Sequence, residues 1–193
     1  DSEDVPAEEK ARRERAREGG TGIVGYSADD DGNRIVFTIN ARLFLTDIDW
    51  NDETGAPEPH TRELAGEWLD EDPAMYTPVL NPRIAPDGEH VLYTTGSYLM
   101  LVDIGGELGD RITAVYGVSV EDEDGNPAEN TWKIGLAEFV AGEEMDRYDG
   151  FWWAPDSQHV LFDLSTPPTS RPGTSAIRPT PRSRTPAAAT RAR

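Results

Sequence analysis

Two neighbouring segments of this chain occur twice at a single spacing, which constrains its fold more than any local propensity does. Asp31-Gly32-Asn33-Arg34-Ile35-Val36-Phe37-Thr38 returns 56 positions later as Asp87-Gly88-Glu89-His90-Val91-Leu92-Tyr93-Thr94. Leu43-Phe44-Leu45-Thr46-Asp47-Ile48 returns at the same offset as Leu99-Met100-Leu101-Val102-Asp103-Ile104. Segments that move together at one offset mark a repeated supersecondary unit. A third copy of the first segment, Ala154-Pro155-Asp156-Ser157-Gln158-His159-Val160-Leu161-Phe162, has Ala85-Pro86-Asp87-Gly88 as its counterpart. Proline presets its own φ and glycine tolerates a positive one, so Pro-Asp-Gly suits a tight turn. The β-branched and aromatic run behind it suits a buried strand.

A turn-plus-strand unit recurring at blade-like intervals predicts an all-β fold, an incomplete β-propeller of about two to three blades. A β-sandwich would rarely reproduce both strands of a pair at one offset. The propeller is expected over residues 21–162. Residues 1–20 are expected to form a charged arm or short helix, with Pro6 near its start and Glu8–Arg12 and Glu9–Arg13 pairs, but no apolar stripe. Trp50 to Pro73 and Glu121 to Asn130, rich in acids, glycine and proline, are expected to be exposed loops. Residues 163–193 hold six of the 15 prolines and no aromatic residue, so this tail is expected to be disordered, with a frameshift or truncation as the expected cause of the abrupt change.

The net charge of -19 is uneven: residues 1–163 carry -25 and the tail +6. Such an acidic body disfavours nucleic acid and anionic lipid and favours amine-bearing ligands. With no cysteine, disulfides, thiolate nucleophiles and Cys-ligated zinc are excluded, and a cytoplasmic location is expected. No apolar run approaches the ~20 residues of a membrane span, and no basic-then-apolar signal peptide is visible in a sequence that starts at Asp1 rather than Met, which leaves open a leader ahead of it. No cofactor or metal is expected. Asp29-Asp30-Asp31-Gly32 and Asp122-Glu123-Asp124-Gly125 lack the spaced ligands of a calcium loop and are read as turns. His60 stands apart, and His90 and His159 share one repeat position, as packing residues do.

Chemistry concentrates in residues 135–155, GLAEFVAGEEMDRYDGFWWAP. Glu143 and Glu144 stand side by side, and two ionised carboxylates held together need a cation or good solvation. A primary ammonium, with three donors, is a natural partner. Arg147 is placed to pair with Glu143 or Asp146 and is read, with Tyr148, as support; Trp152 and Trp153 are read as blade packing. Taken alone, the acid pair reads first as a solvated turn or the first turn of a short helix, since exposed charged pairs are ordinary.

The string from Glu138 to Asp156, EFVAGEEMDRYDGFWWAPD, resembles the double-glutamate motif of the dipeptidyl peptidase IV family of serine peptidases, closest to its cytosolic eight/nine branch and bacterial relatives. Tyr76 to Gly88, YTPVLNPRIAPDG, is similar to the propeller sequence upstream of it, and the likeness extends over roughly residues 20–162. The resemblance implies a serine exopeptidase that releases N-terminal dipeptides, with a propeller lying over an α/β-hydrolase domain. It implies that Glu143 and Glu144 hold the free amine of a peptide N-terminus.

The family's nucleophile elbow, Gly-x-Ser-x-Gly, occurs nowhere in the chain, and neither the catalytic Ser, Asp and His nor the substrate-binding arginine can be assigned. The chain is therefore expected to be a fragment, inactive alone, whose partners are peptide N-termini and a hydrolase domain elsewhere in the full-length protein. Homo-oligomerisation is expected of the full-length family member, and self-association of the isolated, unclosed chain would cover its open sheet edges. A non-catalytic propeller-like binding module is the alternative.

Overall fold

A computed structural model of the chain describes residues 10, 22–23, 25–40, 42–107, 109–121, 124–126, 128, 130–165 and 178–179. The expected N-terminal helix and most of the expected disordered tail lie outside the described residues.

The described chain is an all-β array of antiparallel sheets without a closed ring. In the first sheet β1 (Tyr26–Ala28), β2 (Arg34–Ile39), β3 (Arg42–Trp50) and β4 (Pro57–Glu63) pair in sequence order. Two short helices follow, α1 (Gly66–Glu71) and α2 (Pro73–Tyr76). The second sheet repeats the meander with β5 (Leu80–Ile84), β6 (His90–Thr94), β7 (Tyr98–Gly106) and β8 (Gly109–Ser119). A strand β9 (Lys133–Ile134) and a helix α3 (Phe139–Met145) precede a third hairpin of β10 (Phe151–Trp153) and β11 (Val160–Phe162). β9 pairs with β12 (Leu164–Ser165), and β13 (Arg178–Pro179), the described part of the tail beyond it, pairs with Val118 and Ser119 of β8.

The sequence repeat is a repeat of register. Ala28 pairs with Ile35, Ile84 with Val91 and Trp153 with Val160, the same separation along the chain each time. Each hairpin closes on the same bond, from the Asp29, Ala85 and Ala154 amides to the Arg34, His90 and His159 carbonyls. The turn needs a left-handed residue, which is Gly32 (φ 70°), Gly88 (φ 74°) and, in the third copy, Ser157 (φ 58°). Serine there carries a Cβ penalty that glycine avoids.

Successive copies are bonded to one another. The Asp30 amide donates to the Pro86 carbonyl at 3.0 Å, and the Asp87 amide donates to Ser157 Oγ at 3.0 Å. Alternation along the strands then splits the apolar side chains between two cores. Val91, Tyr93, Met100 and Val102 pack with Val36, Leu43 and Leu45 of the first sheet. Leu92 and Leu99 face the opposite way and pack with Ile134 and Phe151, with Trp153 and Phe162 alongside. The second sheet is therefore covered on both faces.

The segment expected to be a loop between Trp50 and Pro73 is instead β4 followed by α1, with Leu64 and Leu69 buried. β4 reads Pro-Glu-Pro-His-Thr-Arg-Glu and lies at the sheet's outer edge, so both of its faces are polar and no alternation betrays it. Its prolines suit an edge, where missing donors cost nothing. The described residues of the other expected loop, 121–130, form no strand or helix, and Asp124, Gly125 and Asn126 are exposed.

Asp110, at the start of β8, ties the two sheets together. It accepts both Nη atoms of Arg62 from β4, at 2.5 and 3.0 Å, and the amides of Ala65 and Gly105, at 3.1 and 3.0 Å. Its main-chain carbonyl takes Trp68 Nε1 at 2.9 Å. Desolvation alone would raise its pKa, but the Arg62 and amide hydrogen bonds outweigh it and hold the carboxyl below the usual aspartate range. The depressed folded value means the carboxylate stabilises the fold at neutral pH and loses that effect as pH falls below ~3.9. Asp110→Asn is expected to destabilise the chain by about 1–3 kcal/mol at pH 7, read as a lower urea midpoint. The gap between variant and parent should close progressively below pH ~4.

Candidate functional site

α3 sits on an excursion of the chain between β9 and β10, and the neck of that excursion is unusually tight. Leu136 and Asp149 form an antiparallel bridge across it. A Cβ on Gly150 would lie 2.4 Å from the carbonyl carbon of Gly135 and 2.5 Å from the Leu136 nitrogen, so only glycine fits. The Asp163 amide donates to the Gly150 carbonyl at 2.7 Å and the Gly135 amide donates to the Asp163 carbonyl at 3.0 Å. The two limbs are thereby stitched to the residue that follows β11.

The helix is capped from its own sequence. Glu138 accepts the Val140 amide at 2.9 Å and the Ala141 amide at 2.7 Å with its two carboxylate oxygens. Such a side chain satisfies donors that a helix start leaves orphaned. At the other end Asp146 adopts a left-handed conformation (φ 52°), and the Arg147 amide donates to the Ala141 carbonyl at 3.0 Å. Ala141 is fully buried, while Val140, Glu143, Glu144 and Met145 are exposed. Glu143 and Glu144 thus occupy successive positions on a short, capped helix that presents them to solvent. Among the described residues neither carboxylate has an ion-pair partner.

Arg147 does not pair with Glu143 or Asp146. Its Nη1 binds an Asp163 carboxylate oxygen at 2.6 Å and the Asp149 carbonyl at 2.9 Å, and its guanidinium carbon lies 5.6 Å from the centre of the Trp152 ring. The contact with Trp152 is a cation–π pair. The left-handed turn at Asp146 directs the chain away from the helix, which carries Arg147 toward β10 and β11. Tyr148 donates its hydroxyl to Asp146 at 3.3 Å, and its ring lies against Gly142. Trp153 packs in the second core and donates Nε1 to the Arg83 carbonyl at 3.0 Å, whereas Trp152 is half-buried beneath Arg147.

Sequence reasoning missed the contribution of β5. Asp149, on the return limb, accepts Asn81 Nδ2 at 2.9 Å and Arg83 Nη2 at 2.7 Å, both on a single oxygen. Asn81 reaches it from a left-handed conformation (φ 52°) where the register of β5 shifts beside Pro82. A bulge beside a proline re-aims side chains in this way.

His90 packs near Trp153, with ring centres 6.5 Å apart, as a packing residue should. His159 instead lies in solvent and holds Asp156 at 2.7 Å across its own turn. The ligand atoms of Asp87, Glu89 and His90 lie within 4.8 Å of one another, the one such group among the described residues. Both carboxylates are exposed, and His90 Nε2 already faces Asp103 at 3.2 Å. Asp29, in the first expected turn, accepts the Arg34 amide at 3.0 Å, which is ordinary turn chemistry.

A family model described as the dipeptidyl peptidase IV (DPP IV) N-terminal region matches residues 29–165. The human protein named Dipeptidyl peptidase 8 is 26% identical over 152 residues, which are 78% of this chain and 16% of the human one. The mouse protein of the same name is 26% identical over 154 residues, 79% of this chain and 16% of its own. The chain thus spans about a sixth of the length of the curated relatives it matches. The family match runs from the first repeated turn through the acid helix to β12, and the chain belongs to the dipeptidyl peptidase IV N-terminal region family.

Proposed function

We propose that this chain is the substrate-recognising propeller portion of a dipeptidyl peptidase IV-like serine exopeptidase, and that Glu143 and Glu144 receive the free amine of a peptide N-terminus. One observation carries this reading. The nearest cation in sequence, Arg147, is committed to Asp163 and Trp152, so among the described residues no cation engages the two exposed carboxylates and they stand open to an ammonium group.

An ammonium between two carboxylates at ~4 Å gains about 1 kcal/mol from each in water and about 4 kcal/mol from each at an effective dielectric near 20. Enclosure against a second domain moves the site from the first regime toward the second. A peptide held by its first nitrogen presents bonds at fixed distances from the anchor. The anchor therefore acts as a ruler, and cleavage after two residues follows if the nucleophile stands one dipeptide away. The nucleophile, its base and its oxyanion donors belong to an α/β-hydrolase domain that this chain does not contain, so the chain alone turns over no substrate. A cytoplasmic setting and an oligomeric full-length protein complete the reading; the first accords with the absence of cysteine.

Nuclear magnetic resonance titration of the isotope-labelled chain with the peptide Ala-Pro-Ala tests the anchor. The free peptide is expected to shift the amides of residues 138–148, and its N-acetylated form is not. Glu143→Gln and Glu144→Gln should each weaken binding about fivefold or more. Affinity should fall as pH rises through the peptide's amino pKa of ~8, where the ammonium is lost. Equal binding of the free and acetylated peptides would overturn the reading. A chromogenic Ala-Pro substrate should not be hydrolysed by the chain alone, and turnover would refute the assignment of the catalytic groups to another domain.

A further inference from the structure

We infer that Arg83, assisted by Asn81, is a positioning residue for the acid pair, acting through Asp149; this rests on the reading of Glu143 and Glu144 as an amine anchor. Among the described residues, none tethers the outward side of the helix that carries the pair, where Val140, Glu143, Glu144 and Met145 are exposed. Its place is therefore set at the neck and along the return limb. Three attachments act there. The Gly135–Gly150 crossing and the Arg147–Asp163 pair tie the excursion to the third hairpin. The bonds from Asn81 and Arg83 to Asp149 tie it to the second sheet.

Arg83 is well placed to act as a fixed strut. It stands on β5, its Nη1 turns to the Pro82 carbonyl at 3.2 Å, and its own carbonyl is held by Trp153 Nε1 at 3.0 Å. The residue it grips, 66 positions away, is both the bridge partner of Leu136 and the carbonyl partner of Arg147. Asp149 is thus the point where the second sheet meets the limb that ends α3. If Arg83 is removed, the limb keeps its attachment to the third hairpin and is referred to β5 by the neutral Asn81 bond alone, without the charged one, and the carboxylates shift relative to β5. Two-point recognition of one ammonium depends on the two oxygens standing at the right separation from it, so a small displacement is felt in binding.

Exposure separates this role from a structural one. The side chains of Arg83 and Asp149 are 31% and 36% exposed, and ion pairs at that exposure add little to folding stability. Loss of Arg83 should appear in amine recognition and not in the unfolding midpoint.

The test uses the full 193-residue chain and the peptide Ala-Pro-Ala, free and N-acetylated, with urea unfolding run in parallel on Arg83→Met, Arg83→Lys, Asp149→Asn, the double variant Arg83→Met/Asp149→Asn and Glu144→Gln. Arg83→Met should weaken free-amine binding by about tenfold while leaving the urea midpoint in place. Arg83→Lys, which keeps the charge, should recover part of the loss. The double variant should bind no more weakly than Arg83→Met, because both changes break one connection. If Glu144→Gln weakens binding and Arg83→Met does not, the positioning role is overturned and the anchor stands. Additive losses in the double variant, or a urea midpoint that falls along with binding, would also overturn it. If the parent chain does not distinguish free from acetylated peptide, the anchor fails and the positioning role falls with it.

Discussion

Burial of the second sheet on both faces is the constraint on which the remaining structure depends. Val91 and Tyr93 point into one core and Leu92 into the other, and none of the three is exposed. A strand apolar on both faces is stable only between two layers, and each repeat supplies the next layer. The stacking also brings the repeated turns into contact, where the amides of Asp30 and Asp87 find acceptors in the following copy. Buried Thr94 shows how closely the layers fit: its hydroxyl reaches the Ile134 carbonyl of β9 and accepts the Gly96 amide at 2.8 Å. Every apolar layer therefore also fixes polar geometry at its rim.

The acid helix inherits its position from that stack. Gly150 lies against Gly135 and Leu136 because β10 and the start of the excursion are packed beside the second sheet, with Phe151 filling the second core. From the crossing outward the chain relies on local devices: a glutamate cap, a left-handed aspartate and an arginine turned back toward the hairpin. The combination leaves two carboxylates exposed on a helix whose ends are fixed. Charge repulsion between neighbouring glutamates is tolerated there because water solvates both, and a bound ammonium would replace that water with a counter-charge.

Much of this was legible in the chain itself. The 56-residue offset is a property of register, and the structure extends it to β1 and β5, whose pairings with β2 and β6 recur at the same offset. The acid pair stood out because adjacent glutamates in an aromatic-rich stretch are conspicuous, and Glu138 at the cap preserves the spacing of a helix start. β4 was not legible because an edge strand with two polar faces carries no alternation, and its prolines read as loop. The partner of Arg147 was misread because Glu143 and Asp146 are near in sequence, while Asp163 is near only after β10 and β11 fold back. Asn81 and Arg83 gave no signal for the same reason: their partner lies in another repeat, and only the stacking of sheets brings them together.

The most direct measurement is a crystal structure of the chain with a free-amine peptide such as Ala-Pro-Ala bound. The peptide nitrogen is expected ~2.7–2.9 Å from carboxylate oxygens of both Glu143 and Glu144, the distance of charge-assisted hydrogen bonds. A peptide bound with its amine elsewhere, while both glutamates remain in solvent, would contradict the account.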